Sequence, residues 1–269
     1  LRALLSARTV EIPQELWAGE LTSLRWLRHW SAREIDGLRQ LCAAFLAAKS
    51  MTGVAGLVLT PEMQLHIAAQ ACVPIARLGL EWYGGWSGIV VYPAAFRVRR
   101  HEVDPAGVVS EVDAELTGEA WDGGPVILSW EDAAPAAGSA PEAAACNVVI
   151  HEFAHKIDLL DGDADGIPPF DPRKHPGLRR EAWAEVLEDA YERFCAELDL
   201  VDAEIPPDVD PESEQGERYY AHLPLDPYAA TDPGEFFAVS SESFFLDPQR
   251  LELAFPEWFR MLRSFYRPA

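Results

Sequence analysis

His151, Glu152 and His155 lie in one apolar run, Asn147-Val-Val-Ile-His-Glu-Phe-Ala-His-Lys-Ile-Asp158. Such a run reads as a buried helix, and charged side chains persist in one only where something pairs with them. On a helix His151 and His155 stand one turn apart on a single face, so both imidazoles reach one ion. Glu152 is turned about 100° from His151 and can stand beside that ion as a general base without ligating it. With seven His in the chain, an HExxH pattern arises by chance in roughly one of fifty such sequences. The spacing therefore points to hydrolysis assisted by one zinc ion per chain, with Glu152 taking the proton of the attacking water. A hydrogen-bonded pair of core histidines is the plainer alternative.

Catalytic zinc takes three protein ligands and keeps one position open. Asp161 follows His155 by six residues, the metzincin spacing. That arrangement needs a Gly three residues after the second His, where Asp158 stands. The other candidate is Glu235, in Tyr228-Ala-Ala-Thr-Asp-Pro-Gly-Glu-Phe-Phe-Ala-Val-Ser-Ser-Glu242. Asp232 as N-cap and Pro233 at the first helical position make a capping-box glutamate the ordinary reading of Glu235. Yet Phe236, Phe237, Val239, Phe244 and Phe245 make this helix deeply apolar, and Glu235 and Glu242 share a face two turns apart. Two carboxylates there suit a metal site better than a surface cap. Glu235 is preferred as the ligand, with Glu242 as partner of a ligand histidine. Asp161-Gly-Asp-Ala-Asp-Gly166 begins like an EF-hand loop, but Pro172 stands where the bidentate Glu belongs. An acidic turn is expected there rather than a calcium site.

The elements that must position these groups follow from periodicity. Residues 14–48 space Leu24, Leu27, Ile35, Leu38, Leu41 and Phe45 as one or two amphipathic helices. Val54–Leu59 reads as a short strand. Thr60 and Pro61 start a helix over 61–79 that Pro74 should kink, with His66 as a satisfied core or surface histidine. Ile89–Tyr92, Val108–Leu116 and Pro125–Trp130 read as strands, the last preceded by a Gly123-Gly124 turn. An Ala- and Pro-rich loop (132–141) leads into the HEFAH helix. A helix over 177–198 follows, then an acidic stretch (199–217) expected to be a mobile insertion, then helices from 232 onward. The pattern is α+β, with a small mixed sheet in the N-terminal part (1–131) and a mostly helical second part (141–269) of one domain.

At 269 residues and 49% hydrophobic, the chain can bury a substantial core. No apolar run reaches membrane-spanning length, and no charged-then-apolar leader is visible at the start. Cys42, Cys72, Cys146 and Cys195 form no CxxC pair, which favours a reducing cytoplasm. A net charge of −22 offers no basic stripe for nucleic acid. Solubility accounts for that charge, with a weak preference for basic substrates as the alternative.

Leu59-Thr-Pro-Glu-Met63, Ile67-Ala-Ala-Gln-Ala-Cys72, Ile89-Val-Val-Tyr-Pro93, Gly118-Glu-Ala-Trp121, Gly124-Pro-Val-Ile-Leu-Ser-Trp130, the HEFAHKID segment and Tyr228–Phe245 together resemble the Mlc titration factor A family of zinc metallopeptidases. The match covers most of residues 50–265. Around HEFxHxxD it is also similar to the catalytic domain of anthrax lethal factor. The resemblance implies a zincin-like, gluzincin-type peptidase with His151, His155 and Glu235 on zinc and Glu152 as base. It implies Tyr228 as transition-state stabiliser, a place that Tyr219 or Tyr220 could also fill. It further implies aminopeptidase-type activity on a peptide or protein, and binding of a sugar-uptake repressor, a transcriptional regulator. The acidic stretch is longer than is usual in the family. Asn147, Asp158 and Glu242 are expected to support the ligands. Val126, Ile127, Leu128 and Ser129 are expected to offer a strand edge to an extended substrate, unless that strand is internal. A binding protein that sequesters a regulator is the main rival reading, and hydrolysis of a non-peptidic amide a third.

Overall fold

A computed structural model describes residues 10–103, 109–116, 118–120, 123–135, 147–211 and 213–267. Trp121 and Cys146 lie outside them. The N-terminal part contains α1 (Gln14–Ser23), α2 (Ala32–Ala48), β1 (Ser50–Gly53), α3 (Pro61–Cys72), β2 (Gly88–Tyr92), β3 (Phe96–Val103), β4 (Val109–Leu116), β5 (Gly118–Ala120), β6 (Val126–Ser129) and the short α4 (Trp130–Ala133). Then come α5 (Val148–Asp158), α6 (Arg180–Glu204), α7 (Glu214–Tyr220), α8 (Pro233–Leu246), α9 (Pro248–Ala254) and α10 (Pro256–Tyr266). The protein is thus mixed and mostly helical. No helix among the described residues is long and apolar enough to cross a membrane.

Several boundaries differ from those predicted, each for a local reason. The first strand is Ser50–Gly53 rather than Val54–Leu59, because Ala55 and Gly56 take positive φ and turn the chain. Pro74 ends α3 rather than kinking it. Residues 73–78 continue as tight turns in which Val73, Ala76 and Leu78 bond three residues back, since a proline withholds its N–H and disfavours helix before it. The acidic stretch is not one loop: α6 runs on to Glu204, and α7 begins at Glu214. Val201, buried on α6, gives that extension an apolar anchor.

β1, β2 and β6 pair in parallel, and β5 returns antiparallel on the far side of β6, giving the order β1-β2-β6-β5. β3 and β4 form a separate antiparallel hairpin. The strand carrying Val126, Ile127, Leu128 and Ser129 is therefore internal, bonded to β2 along its length and to β5 over Val126–Leu128. Those residues have no free edge to offer. Among the described residues the edges of this sheet are β1 and β5, and the Gly-containing three-residue β5 was not announced as a strand by its sequence.

α5 packs against α8, α3, β5 and β6. Phe153 on α5 meets Phe45, Tyr83 and Trp86. Phe237 on α8 and Trp258 on α10 both contact Trp183 on α6. α5 and α8, which carry the candidate ligands, are thus clamped between aromatic clusters.

Candidate metal centre

Asn147 caps α5, its side chain accepting from Ile150 N. Every residue from Val148 to Asp158 is buried except His151 and His155, so this helix opens only along the face carrying its two imidazoles. α8 repeats the pattern. From Gly234 to Phe245 every residue is buried except Glu235. Asp232 caps α8 by accepting from Glu235 N, but the Glu235 carboxylate turns to α5 instead of closing a capping box.

The two openings meet. His151 Nε2 and His155 Nε2 are 3.2 Å apart, and Glu235 Oε2 is 3.0 and 3.1 Å from them. The three donor atoms form a nearly equilateral triangle. Tetrahedral ligands at the usual ~2.0–2.1 Å from a zinc ion stand about 3.3–3.4 Å apart, so this set needs an adjustment of only a few tenths of an ångström. It is the one cluster of potential metal ligands among the described residues. Asp161 lies elsewhere: its carboxylate and that of Asp165 grip the Arg180 guanidinium at 2.8 and 2.9 Å. That pairing also occupies the EF-hand-like loop with a protein cation.

Glu242 supports the cluster from behind. Its Oε1 lies 2.8 Å from His151 Nδ1, and its Oε2 accepts from Asn147 N. A proton on Nδ1 donated to this carboxylate leaves the Nε2 lone pair facing Glu235, the tautomer that a metal requires. Asn147 Nδ2 in turn donates to Gln70 Oε1, a buried glutamine that the sequence reading passed over. His66, one turn earlier on α3, is a buried partner of Glu20 at 2.8 Å. Burial pulls the His151 imidazole down, but Glu235 and Glu242 outweigh it and hold it well above its ordinary pKa. Burial likewise favours the neutral Glu235 carboxyl, yet the two histidines hold it well below the usual carboxylate range.

Glu152 is buried, and its charge acts on His151. Its carboxylate lies against the backbone of β5: a Cβ on Gly118 would come within 2.4 Å of Oε1. Gly118 is thus a site residue that only the close approach reveals. Gly118→Ala should displace the carboxylate and lower any Glu152-dependent turnover by about 10²-fold. Metal content measured by elemental analysis should stay unchanged.

Tyr228 sits in a short 3₁₀ turn, Pro227–Ala230, capped by Asp226. Its hydroxyl donates to Glu235 Oε1 at 3.3 Å, and its ring centroid is 6.0 Å from that of His151. Tyr220 instead donates to Asp202 on α6, and Tyr219 packs on the core. Of the three tyrosines considered, Tyr228 is the one at the triangle.

Asp158 is fully buried, but its bond is to Gly166 N at 2.7 Å rather than to a histidine. It holds the loop after α5 against the start of α8. A Cβ on Gly166 would collide with Pro233 O, and one on Gly234 with Ala164 O. Burial raises the Asp158 carboxyl to about 8, Asp161 and Asp165 adding to the rise while Gly166 N and Arg180 oppose it. The unfolded value is about 4, so this group favours the fold fully below that pH and loses its contribution as pH rises towards 8. Asp158→Asn keeps the shape and an acceptor for Gly166. Relative to wild type, urea unfolding should show it gaining on the order of 2–4 kcal/mol between about pH 5 and pH 8.

The family model for glucose-regulated metallo-peptidase M90 matches residues 2–267. The chain belongs to the M90 metallopeptidase family. Its relatives include Mlc titration factor A of Klebsiella pneumoniae, 36% identical over 242 residues that cover 90% of this chain and 82% of the relative. The Mlc titration factor A of Yersinia enterocolitica is 32% identical over 92% of this chain and 84% of its own length. That of Salmonella arizonae is 34% identical over 94% and 90%. Membership in M90 implies a metal, for which the His151–His155–Glu235 triangle has the matching donor chemistry.

Proposed function

We propose that this chain is a zinc peptidase of zincin-like, gluzincin-type fold, acting as an aminopeptidase, with its site built into a single domain. The observation that carries the reading is that His151 and His155, the two unburied residues of α5, meet Glu235, the one unburied residue of Gly234–Phe245 on α8, with three ligand atoms facing one point. Zinc held by His151, His155 and Glu235 would supply Lewis acidity, acidifying water and polarising an amide carbonyl. Glu152, off the ligand face and beside β5, takes the proton of the attacking water and passes it to the leaving amine. The Tyr228 hydroxyl, already directed at the ligand cluster, donates to the oxyanion as it forms. Glu242, braced by Asn147, fixes the His151 tautomer. With β6 enclosed, the free side of β5 is where an extended peptide would pair.

The unpaired thiols of Cys42, Cys72 and Cys195 fit a reducing, cytoplasmic setting. The charge of −22 argues against nucleic acid as partner. A second reading rests on the name of the relatives: a factor that titrates Mlc suggests that this chain also binds a transcriptional repressor.

Cleavage of aminoacyl reporters, abolished by chelation and restored by zinc, is the expected behaviour of the peptidase. Binding of a regulator without such turnover is that of the second reading. Tyr228→Phe refines the test. It should lower kcat and kcat/KM together by roughly 10²–10³, or about 3–4 kcal/mol, with zinc content unchanged. Loss of thermal stability with normal turnover would make Tyr228 a packing residue instead.

A further inference from the structure

At the far end of α8 from Glu235 lies a cleft of about 570 Å³ whose lining includes Trp30, Arg33, Glu34, Arg77, Phe245 and Arg267. Phe245 follows Glu235 by ten residues, so the cleft is separated from the candidate metal centre by about 15 Å along the helix. In a chain of net charge −22 with only 22 Lys and Arg, three arginines at one cleft stand against the prevailing field.

Their pairing is incomplete. Glu34 closes the capping box of α2 with Ser31 and accepts from Arg77 at 2.8 Å. It is the single carboxylate among the described residues that line the cleft, its pKa lowered to about 2 first by the Ser31 backbone and hydroxyl and then by Arg77. The guanidinium groups of Arg33 and Arg267 have no ion pair or hydrogen bond among the described residues, and Arg267 is 5.5 Å from the Phe244 ring. Arg267 is exposed; partial burial, and then the nearby charge of Arg77, lower its pKa, while the Glu34 carboxylate opposes them.

We propose that the cleft formed by Trp30, Arg33, Arg77, Phe245 and Arg267 binds a small-molecule phosphate monoester. Three arginines against one glutamate leave two positive charges, and a monoester dianion balances them. Guanidinium forks match phosphate oxygens in geometry as well as charge. The partly exposed Trp30 and the Phe245 ring give the organic group an apolar wall, and the volume is that of a small-molecule site.

Calorimetric titration of the metal-loaded full chain with phenyl phosphate tests this, with the Arg33→Gln variant separating the cleft from anion binding at the metal. One saturable site per chain is expected, with inorganic phosphate and benzoate each binding more weakly. Arg33→Gln and Arg267→Gln change exposed side chains and should each weaken phenyl phosphate at least about tenfold. If Arg267→Gln also lowers the melting temperature, Arg33→Gln alone carries the test. The proposal is overturned by any of three results. These are no saturable heat at about 10 mM ligand, affinity unchanged in Arg33→Gln, or benzoate binding as tightly as phenyl phosphate.

Discussion

Glu152→Gln is expected to leave zinc content near stoichiometric while peptide hydrolysis falls on the order of 10³-fold or more, about 4 kcal/mol of transition-state stabilisation. The substitution is nearly isosteric, so the contact with Gly118 and the burial of the side chain survive. What disappears is the capacity to accept a proton. Because Glu152 is off the His151–His155 face, its loss removes no ligand. The measurement is steady-state turnover of an aminoacyl reporter alongside elemental analysis of the same preparation. Near wild-type turnover would remove Glu152 from the role of base, while loss of zinc would place it among the ligands.

Glu235→Ala is expected to weaken zinc on the order of 10³-fold or more, and turnover should vanish with the metal. The triangle then loses one of its three corners, and His151 and His155 lose the carboxylate that faces both. Glu242→Gln should cost less, about 10–100-fold, because it acts through His151 rather than on the ion. Asp161→Ala should hardly change affinity, since Asp161 is engaged by Arg180. Competition titration against a chromophoric zinc chelator orders the three variants. Strong loss in Asp161→Ala with retention in Glu235→Ala would move the third ligand to the loop after α5.

The helix of the two histidines, the capped start of α8 and the inward face shared by Glu235 and Glu242 were all legible in the sequence. Each depends on local spacing and capping chemistry that a few adjacent residues determine. The resemblance carried by scattered segments likewise identified the family that the M90 match establishes. The sequence already preferred Glu235 to Asp161, because Asp158 stands where the Asp161 arrangement needs a Gly, but it did not show what holds the Asp161 carboxylate. Arg180, nineteen residues beyond Asp161, settles where that carboxylate goes. The Asp158–Gly166 bond and the tight approaches of Gly166 and Gly234 set the first turn of α8 against α5. The edge strand was hidden for the same reason. Gly118–Ala120 is too short to show alternation and is a strand only because β6 lies beside it. Gly118 belongs to the site through what it lacks, a side chain where Glu152 comes within reach. Local sequence specifies which groups can do chemistry. Contacts between residues distant in the chain decide which of those groups meet, because an ion pair or a backbone approach forms only once separate elements have packed.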